Sequence, residues 1–378
     1  MRIGFDAKRA IQNNTGLGNY SRFVVKVLSE YEPDNTYFLF APHNMDNSRL
    51  KALLSHLNVF IIFPSGISKL IPSFWRLFGS KRDIIKNRID IFHGLSNELP
   101  VNIRNTGIKM VVTIHDLIFV RYPHYYHWID RTIYLWKFRY ACKNADMIIA
   151  VSEYTKCDII SFFHIPEEKI KVVYQNCNPI FKQQVSKEIR KQIVEKHRLP
   201  GHFILYVGSI EQRKNLLLAV KALKQIPEEI HLVAIGKPTP YQQEVERQAR
   251  EMGVTSRLHI KNDFPDEDLP AIYQSADLFV YPSFYEGFGI PVIEALSSGV
   301  PVIAATGSCL EEAGGPDSIY VSPNDEAELA LKIREVLNNE NLRKKMAERG
   351  LEYMKRFDSK KIAKEIMAIY LSVASRTN

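Results

Sequence analysis

Residues 203–226, FILYVGSIEQRKNLLLAVKALKQI, join a short apolar run to a helical pattern through a polar loop. The run FILYVGS is rich in β-branched and aromatic residues, which is typical of a strand buried on both faces. In NLLLAVKALKQI the apolar residues recur at helical spacing. The stretch therefore predicts a strand, a loop and a helix, the first part of a βαβ unit.

The same alternation continues through residue 323. Further apolar runs with strand character lie at 231–237, 257–262, 277–283, 300–305 and 318–323. Helical patterns such as YQQEVERQAREMG and IPVIEALSSG lie between them. Strands that alternate with helices in this way indicate a parallel sheet covered by helices on both faces.

The first half of the chain repeats this pattern less regularly. Its strand candidates lie at 2–6, 37–42, 59–64, 89–95, 109–116, 146–152 and 170–176. The strand pattern stops between 174 and 200, which predicts a linker there, and the tail from about 340 is helical and adds no strand. We therefore predict an α/β fold with two Rossmann-like, doubly wound domains, whose ligands bind at the carboxyl ends of the strands.

Composition restricts the class of protein. The chain has 378 residues, is 46% apolar and carries a formal net charge of +8, which favours anionic partners such as phosphates or lipid headgroups and does not indicate nucleic acid. No apolar run is long enough to span a membrane, and MRIGFDAKRA resembles a buried strand more than a secretory signal. The cysteines lack C-x-x-C spacing, which fits a reducing cytoplasm and argues against structural zinc. They are Cys142, Cys157, Cys177 and Cys309.

The segment EGFGIPVIE, residues 286–294, keeps two carboxylates in apolar surroundings. Pro291 suits the first turn of a helix, and Gly289 would let backbone N–H groups approach a ligand. Carboxylates accept hydrogen bonds, so sugar or ribose hydroxyls are natural donors for Glu286 and Glu294. The alternative is that Glu294 stabilises a first helical turn and Glu286 is a solvated loop residue.

The segment GSIEQRKN, residues 208–215, places Arg213 and Lys214 before a helix that Asn215 could cap. Cations are unfavourable at a helix N-terminus unless an anion lies between them and the helix dipole. An arginine fork beside a lysine therefore suggests a diphosphate site. The alternative is a pair of solvated surface cations.

Three further motifs follow predicted strands. Gly16-Leu17-Gly18 resembles a flexible phosphate loop, but Ser21 stands where an NAD fingerprint needs its third glycine. His93 and His115 lie at strand ends, where each could bind a hydroxyl or have a structural role. Residues 266 and 268, both aspartate, are expected to cap a helix rather than bind a metal.

Together these segments resemble glycosyltransferase family 4, retaining enzymes of the two-domain GT-B architecture that use nucleotide sugars. The match rests on EGFGIPVIE, GSIEQRKN, the His115-Asp116 strand end and the Gly16–Gly18 loop, which span nearly the whole chain. It implies two Rossmann-like domains facing a cleft, at 1–178 and 179–359, with the last helix, about 360–378, crossing back to the first domain. QNCNP, residues 175–179, departs from the family's usual NGVD-like linker.

The resemblance also implies roles for individual residues. Catalytic roles fall to Glu286 on the donor sugar, His115 beside it, and Arg213 with Lys214 on the diphosphate, while Glu294 would bind the ribose. The expected donor-binding residues are Gly16, Gly18, Gly208, Arg213, Lys214, Asp263, Phe264, Glu286, Phe288, Gly289, Ile290 and Glu294. The nucleotide sugar is a substrate, and no metal or other cofactor is implied.

The implied function is retaining transfer of a hexose to a glycan or lipid-linked acceptor in cell-surface polysaccharide or lipopolysaccharide synthesis. Overall likeness to bacterial mannosyltransferases favours GDP-mannose as the donor. Alternatives are an epimerase or hydrolase of the same architecture and a non-catalytic nucleotide-binding scaffold. Two carboxylates also suggest a retaining glycosidase, but a cationic diphosphate site has no purpose in that enzyme.

Residues 68–88, SKLIPSFWRLFGSKRDIIKNR, mix six basic residues with large apolar ones. That composition is typical of a helix lying in a membrane interface. We therefore predict a cytoplasmic protein that is peripheral on the inner face of the membrane, with Trp75 and Phe78 in contact with lipid. The alternative is that the aromatic residues belong to the core.

Overall fold

The structure is a computed structural model that describes residues 1–13, 15–43, 53–101, 103 and 106–375. The chain divides into two compact units. The N-terminal domain consists of Met1–Gln175 with Phe357–Asn378, and the C-terminal domain of Asn176–Arg356. The sequence placed these boundaries at 178 and 359.

The described part of the N-terminal domain contains a seven-stranded sheet in the order β3-β2-β1-β4-β5-β6-β7, with every pair parallel. The strands are β1 (Arg2–Asp6), β2 (Thr36–Phe40), β3 (Val59–Ile62), β4 (Ile91–Gly94), β5 (Lys109–Ile114), β6 (Met147–Ala150) and β7 (Ile170–Val172). The strand order reverses between β1 and β4, the point at which doubly wound sheets bind ligands.

Helices of the N-terminal domain connect these strands. They are α1 (Lys8–Gln12), α2 (Gly16–Tyr31), α3 (Pro72–Phe74), α4 (Ser80–Lys86), α5 (Ile118–Arg121), α6 (Trp128–Asn144) and α7 (Glu153–Phe163). A π-helical turn, Trp75–Gly79, joins α3 to α4. The start of α7 is set by Ser152, whose hydroxyl accepts a hydrogen bond from the Thr155 amide.

The C-terminal domain, all of it described, contains a six-stranded parallel sheet in the order β10-β9-β8-β11-β12-β13. The strands are β8 (Phe203–Val207), β9 (His231–Ile235), β10 (Leu258–Lys261), β11 (Leu278–Tyr281), β12 (Val302–Ala305) and β13 (Ile319–Val321). Its helices are α8 (Lys187–Lys196), α9 (Leu216–Ala222), α10 (Tyr241–Glu251), α11 (Leu269–Tyr273), α12 (Ile290–Ser297), α13 (Leu310–Gly314), α14 (Glu326–Leu337) and α15 (Glu340–Tyr353).

Burial explains why the strands have continuous apolar sequences. All four residues of β11 are buried, and so are all four of β12. Because helices cover both faces of a parallel sheet, neither face needs polar side chains. The two predicted doubly wound sheets are confirmed.

The last helix, α16 (Ser359–Ala374), belongs to the N-terminal domain, where it packs on α2 and β5. Asp358 begins it by accepting a hydrogen bond from the Lys361 amide. The predicted return of the C-terminal helix to the first domain is confirmed. Within the described residues, no helix is both long enough and apolar enough to cross a membrane.

The segment 68–88 differs from its prediction. Trp75 is only 1% exposed, and its indole N–H donates to Asp83 at 2.7 Å. Arg76 is also buried, paired with Asp6 at 2.7 Å and with Glu98. The hypothesis that these two side chains face a membrane is wrong, because the π-helical turn directs them into the domain. The side chains of Leu70, Ile71, Phe74 and Phe78 remain exposed.

Candidate active site

Two loops meet at the carboxyl ends of β8 and β11, the strands between which the order of the C-terminal sheet reverses. Residues 208–215 follow β8, and residues 282–289 follow β11. The Phe284 amide donates to the Arg213 carbonyl at 2.9 Å, which joins the two loops. The polar segments that the sequence singled out therefore lie together, at the usual ligand site of a doubly wound domain.

Glu286 lies between the two predicted cations. Its Oε2 is 3.2 Å from the Arg213 guanidinium, and its Oε1 is 3.2 Å from the Lys214 ammonium. The hydroxyls of Tyr281 and Ser283 each donate to Oε1 at 2.9 Å. Burial alone would raise the pKa of Glu286, but the two cations and the hydroxyl donors outweigh burial and lower this pKa to about 2. The carboxylate is therefore charged at neutral pH.

Further contacts hold the cations in place. The Lys214 ammonium donates to the Tyr281 hydroxyl at 2.7 Å and lies 5.4 Å from the centre of that ring. Arg213 donates to the Tyr285 carbonyl at 3.2 Å and pairs with Glu211 at 3.2 Å. These contacts fix the side chains relative to one another, which is what electrostatic stabilisation of a reaction requires.

Asn215 shapes the end of the 208–215 loop differently from its prediction. It occupies the N-cap position of α9 in the left-handed conformation, with φ of 56°, and its side chain makes no capping hydrogen bond. Its amide instead donates to the carbonyls of Pro282 at 3.0 Å and Pro323 at 2.8 Å. Asn215 therefore joins the loops that follow three strands rather than capping a helix.

Gly289 is required by space and by conformation, whereas a Cβ atom on Gly208 would make only an ordinary van der Waals contact. A Cβ atom on Gly208 would lie 3.4 Å from the Lys214 side chain. Gly289 is the N-cap of α12 with φ of 111°, and a Cβ atom there would lie 2.7 Å from Leu310. Only glycine adopts that conformation without strain. Phe288 is buried beside it, and Ile290 begins the helix, so that Pro291 lies in the first turn as predicted.

Glu294 lies in α12, where its Oε2 accepts a hydrogen bond from the Tyr273 hydroxyl at 3.0 Å. Burial raises its pKa from 4.5 to about 8. The carboxyl group therefore carries a proton at neutral pH, whereas Glu286 is charged. The pKa values of Glu286 and Glu294 shift in opposite directions, because two cations lie beside Glu286 whereas burial dominates at Glu294.

This difference predicts an effect of pH on stability. Between the ordinary pKa of 4.5 and about 8, folded Glu294 keeps a proton that the unfolded chain releases, so stability falls as the pH rises through this range. Glutamine resembles the protonated form and cannot ionise. We expect Glu294→Gln to be more stable relative to wild type at about pH 9 than at about pH 5. Thermal melts at both values measure this, and a pH-independent difference would contradict it.

Asp263 and Phe264 lie in the loop after β10. Asp263 is exposed, and the Phe264 ring is 4.1 Å from the imidazole of His197. Asp268 pairs with the same histidine at 2.7 Å and with Lys196 at 2.6 Å. Asp268 stands at the N-cap of α11, but its side chain makes no capping hydrogen bond, so the predicted cap is wrong. In the described residues, no cluster of three or more acidic, histidine or cysteine side chains could hold a metal.

His115 lies in the N-terminal domain, directly after β5. Its Nε2 is 2.9 Å from the Leu95 carbonyl, which can only accept a hydrogen bond. Burial lowers its pKa to about 4, so the ring is neutral. Nε2 must then carry the proton, and Nδ1 is left as an acceptor. His115 can therefore accept a hydrogen bond from a hydroxyl group but is a poor general acid at neutral pH.

The contacts of His93 indicate a structural role. It lies inside β4 with no exposed surface, and its Nδ1 is 2.6 Å from the Tyr370 hydroxyl on α16. Its Nε2 is 2.8 Å from the Thr113 hydroxyl, which is 3.0 Å from the Tyr20 hydroxyl. The edge of the Tyr20 ring packs against His115, with 4.6 Å between ring centres. This buried chain of hydrogen bonds anchors the last helix to the sheet beneath His115.

The glycine pair 16–18 does not form the predicted flexible loop. Helix α2 begins at Gly16, and Gly18 lies in its first turn. A Cβ atom on Gly18 would lie 1.8 Å from the Asn13 carbonyl oxygen, so this glycine permits close packing of the backbone. Nothing lies within 4 Å of the corresponding position on Gly16. The two glycines place the N-terminus of a helix at the carboxyl edge of the first sheet.

Several residues of these sites were missed in the sequence. In the N-terminal domain, Arg76 and Lys137 pair with Glu98 at the carboxyl end of β4, and Arg76 also pairs with Asp6 at the end of β1. In the C-terminal domain, Tyr281 supports both Lys214 and Glu286. The available signal was position, because Asp6 and Tyr281 are the last residues of strands beside the switch points.

Comparisons with known proteins match both domains. The model described as Glycosyltransferase Family 4 matches residues 33–176, and Glycosyl transferases group 1 matches residues 187–353. O-antigen chain mannosyltransferase B of Escherichia coli is 32% identical over 277 residues, covering 71% of this chain and 70% of that protein. The serotype-specific mannosyltransferase WbdA of Escherichia coli is 27% identical over 285 residues, covering 71% of this chain and 34% of WbdA.

A solved structure has the same fold. HepE from Anabaena, in complex with UDP-glucose, superimposes with a TM-score of 0.77 over 98% of this chain and 100% of HepE, at 17% sequence identity.

Proposed function

Since this chain belongs to the group 1 and family 4 glycosyltransferases, we propose that it transfers mannose from GDP-mannose, with retention of configuration, to a glycan or lipid-linked acceptor. The observation that carries the proposal is the position of Glu286 between Arg213 and Lys214 at the switch point of the second sheet. Two cations suit a diphosphate, and an ionised carboxylate suits sugar hydroxyls. The 32% identity to an O-antigen mannosyltransferase supports mannose and polysaccharide synthesis.

The proposed chemistry follows from these charges. Breaking the anomeric bond leaves negative charge on the nucleoside diphosphate, which Arg213 and Lys214 would stabilise together with the helix dipole at the start of α12. These groups supply positive charge without a metal, so we propose metal-independent transfer. Glu286 would accept hydrogen bonds from the sugar, and Glu294 would bind the ribose diol.

Residues of the N-terminal domain also contact the substrates in this proposal. His115 would accept a hydrogen bond at Nδ1 from a hydroxyl of the transferred sugar, and the N-terminus of α2 at Gly16 would lie near the donor phosphates. Asp263 and Phe264 would flank the base. We place the enzyme in the cytoplasm at the inner face of the membrane, where a lipid-linked acceptor is available.

A ligand screen followed by a transfer assay tests the proposal. Ligand at about 100 times its dissociation constant should stabilise the protein by about 2.7 kcal/mol, and we expect this for GDP and GDP-mannose. With an acceptor glycan, the anomeric configuration of the product is then read by NMR. Stabilisation by UDP and not GDP would contradict the proposed donor. Release of free mannose without transfer would favour a hydrolase, and binding without turnover a scaffold.

A further inference from the structure

Helix α6 carries apolar side chains on the side facing solvent as well as on the side facing the core. Phe138 is buried on the core side. The residues at 129, 133, 136 and 140 recur at helical spacing and lie on the opposite side. We call this set the outer stripe. It consists of Ile129, Ile133, Trp136 and Tyr140.

Three residues of the outer stripe are exposed, and the fourth, Tyr140, is partly buried. Trp136 is 52% exposed, Ile129 50% and Ile133 44%, and the neighbouring Trp128 is 71% exposed. The Trp136 ring stacks on that of Tyr140, with 5.9 Å between their centres. Exposed apolar side chains that form a contiguous group mark an interaction surface. A helix that is apolar on both sides is expected to be covered on both sides.

A second exposed group lies on the segment that contains the π-helical turn. Phe74 is 58% exposed and stacks on Phe78 with 4.9 Å between ring centres. Leu70 and Ile71 are also exposed. Glu98 joins this segment to α6, because its carboxylate accepts hydrogen bonds from Arg76 and from Lys137, the latter at 3.2 Å. The two apolar groups therefore lie on elements that both contact Glu98.

The surface charge around these groups is predominantly positive. Among the described side chains of residues 69–88 and 128–140, the exposed charged ones are six cations and one acid, Asp130. The cations are Lys69, Arg82, Lys86, Arg88, Arg131 and Arg139. The other acid of these segments, Asp83, is partly buried and accepts the hydrogen bond from Trp75.

We propose that the outer stripe, together with Phe74 and Phe78, docks on an anionic phospholipid bilayer with α6 lying in the plane of the interface. Tryptophan and phenylalanine suit the boundary between headgroups and acyl chains, and the surrounding cations attract anionic lipid. A second copy of the chain fits less well, because a symmetric contact would bring like charges together. The inference extends the proposed membrane location, and rests on the proposed function only for the lipid-linked acceptor.

Tryptophan fluorescence can test this docking directly. The chain has three tryptophans, and Trp75 is buried, so changes on docking report on Trp128 and Trp136. The full-length protein is mixed with vesicles of phosphatidylglycerol and phosphatidylcholine whose acyl chains carry bromine, a quencher. We expect quenching with these vesicles, much weaker quenching with pure phosphatidylcholine, and partial loss of binding in high salt.

The variant Ile129→Ser with Ile133→Ser removes the two isoleucines of the outer stripe and keeps every tryptophan as a probe. We expect its affinity for the anionic vesicles to fall by roughly tenfold or more, because buried apolar area contributes most of such binding. The matched control is Leu371→Ser on α16, which alters another exposed apolar residue (57%) of the same domain. It should bind like wild type, and circular dichroism checks the fold of both variants.

Other outcomes would overturn the proposal. These are no quenching, quenching that is equal for neutral and anionic vesicles, or quenching that the double variant retains. If the wild type and the control dimerised and the double variant did not, the surface would bind a second copy of the chain rather than a membrane. Binding is measured without donor or acceptor, and transfer to a water-soluble acceptor should be unchanged in the double variant. Vesicle binding without any transferase activity would therefore refute the proposed function and leave this surface standing.

Discussion

Lys214→Ala is expected to lower kcat by roughly 10²–10³-fold while the protein remains folded, as removal of one preorganised donor to developing charge does in other enzymes. The Lys214 ammonium is held 3.2 Å from Glu286 and 2.7 Å from the Tyr281 hydroxyl. In the proposed reaction it faces the charge that forms on the leaving diphosphate. Steady-state kinetics with GDP-mannose and an acceptor glycan measure the effect.

The same variant should also change how stability depends on pH. Lys214 contributes to lowering the pKa of Glu286, so its loss should raise this pKa from about 2 toward the ordinary 4.5. A depressed carboxyl pKa stabilises the fold above 4.5, and this contribution is lost as the pH falls toward 2. The variant should therefore be less stable than wild type at neutral pH, and the difference should shrink on acidification.

Lys224→Ala provides a matched control, since it removes an exposed cation from the same strand–helix unit. It should leave both kcat and the pH dependence of stability unchanged. If Lys214→Ala retained wild-type turnover, the diphosphate site would have to be placed elsewhere. If both variants lost activity equally, the effect would reflect the overall charge of the protein rather than this site.

The sheets could be predicted because their strands are buried on both faces. The predicted strands at 277–283 and 300–305 contain the continuous apolar runs Leu278–Tyr281 and Val302–Ala305, which form β11 and β12. The end of a helix depends on local competition between turns, so it was predicted less well. The helical pattern YQQEVERQAREMG, residues 241–253, is helical only as far as Glu251, in α10.

The loops of the C-terminal site could be predicted because each side chain there lies close in sequence to the end of its strand. Arg213 and Lys214 follow β8, and Glu286 follows β11. The direct pairing of Glu286 with both cations was not predicted, because it joins loops more than 70 residues apart in sequence. Which loops meet depends on strand order, which the spacing of residues along one chain does not determine.

The segment 68–88 could not be oriented from its composition. Trp75 and Arg76 point inward because Asp6 and Glu98 bind the guanidinium, and these acids lie 70 and 22 residues away in the chain. The π-helical turn changes the helical register at that point. In α6, the outer stripe was missed for another reason. A helix that is apolar on two sides lacks the one-sided periodicity that identifies an amphipathic helix.

Glu286→Gln is expected to keep the binding of GDP while greatly reducing sugar transfer. The carboxylate offsets part of the positive charge of Arg213 and Lys214, each at 3.2 Å. Glutamine has no charge, so the two cations should be freer to attract the diphosphate, and affinity for GDP should be unchanged or several-fold higher. Turnover should fall by roughly 10²-fold or more, because the amide is a weaker acceptor for the donor sugar than a charged carboxylate.

Titration calorimetry with GDP and steady-state kinetics measure the two effects on one protein. Glu335→Gln is the matched control, because it removes a carboxylate from the surface ion pair with Lys332 at 2.8 Å. A loss of GDP affinity in Glu286→Gln would mean that the carboxylate contacts the nucleotide rather than the sugar. Normal turnover would exclude it from the reaction. Tighter GDP binding with little turnover would agree with the prediction. It would also indicate that Glu286 keeps the two cations from binding the product too strongly, so that the negative charge of this carboxylate both aids transfer and permits release.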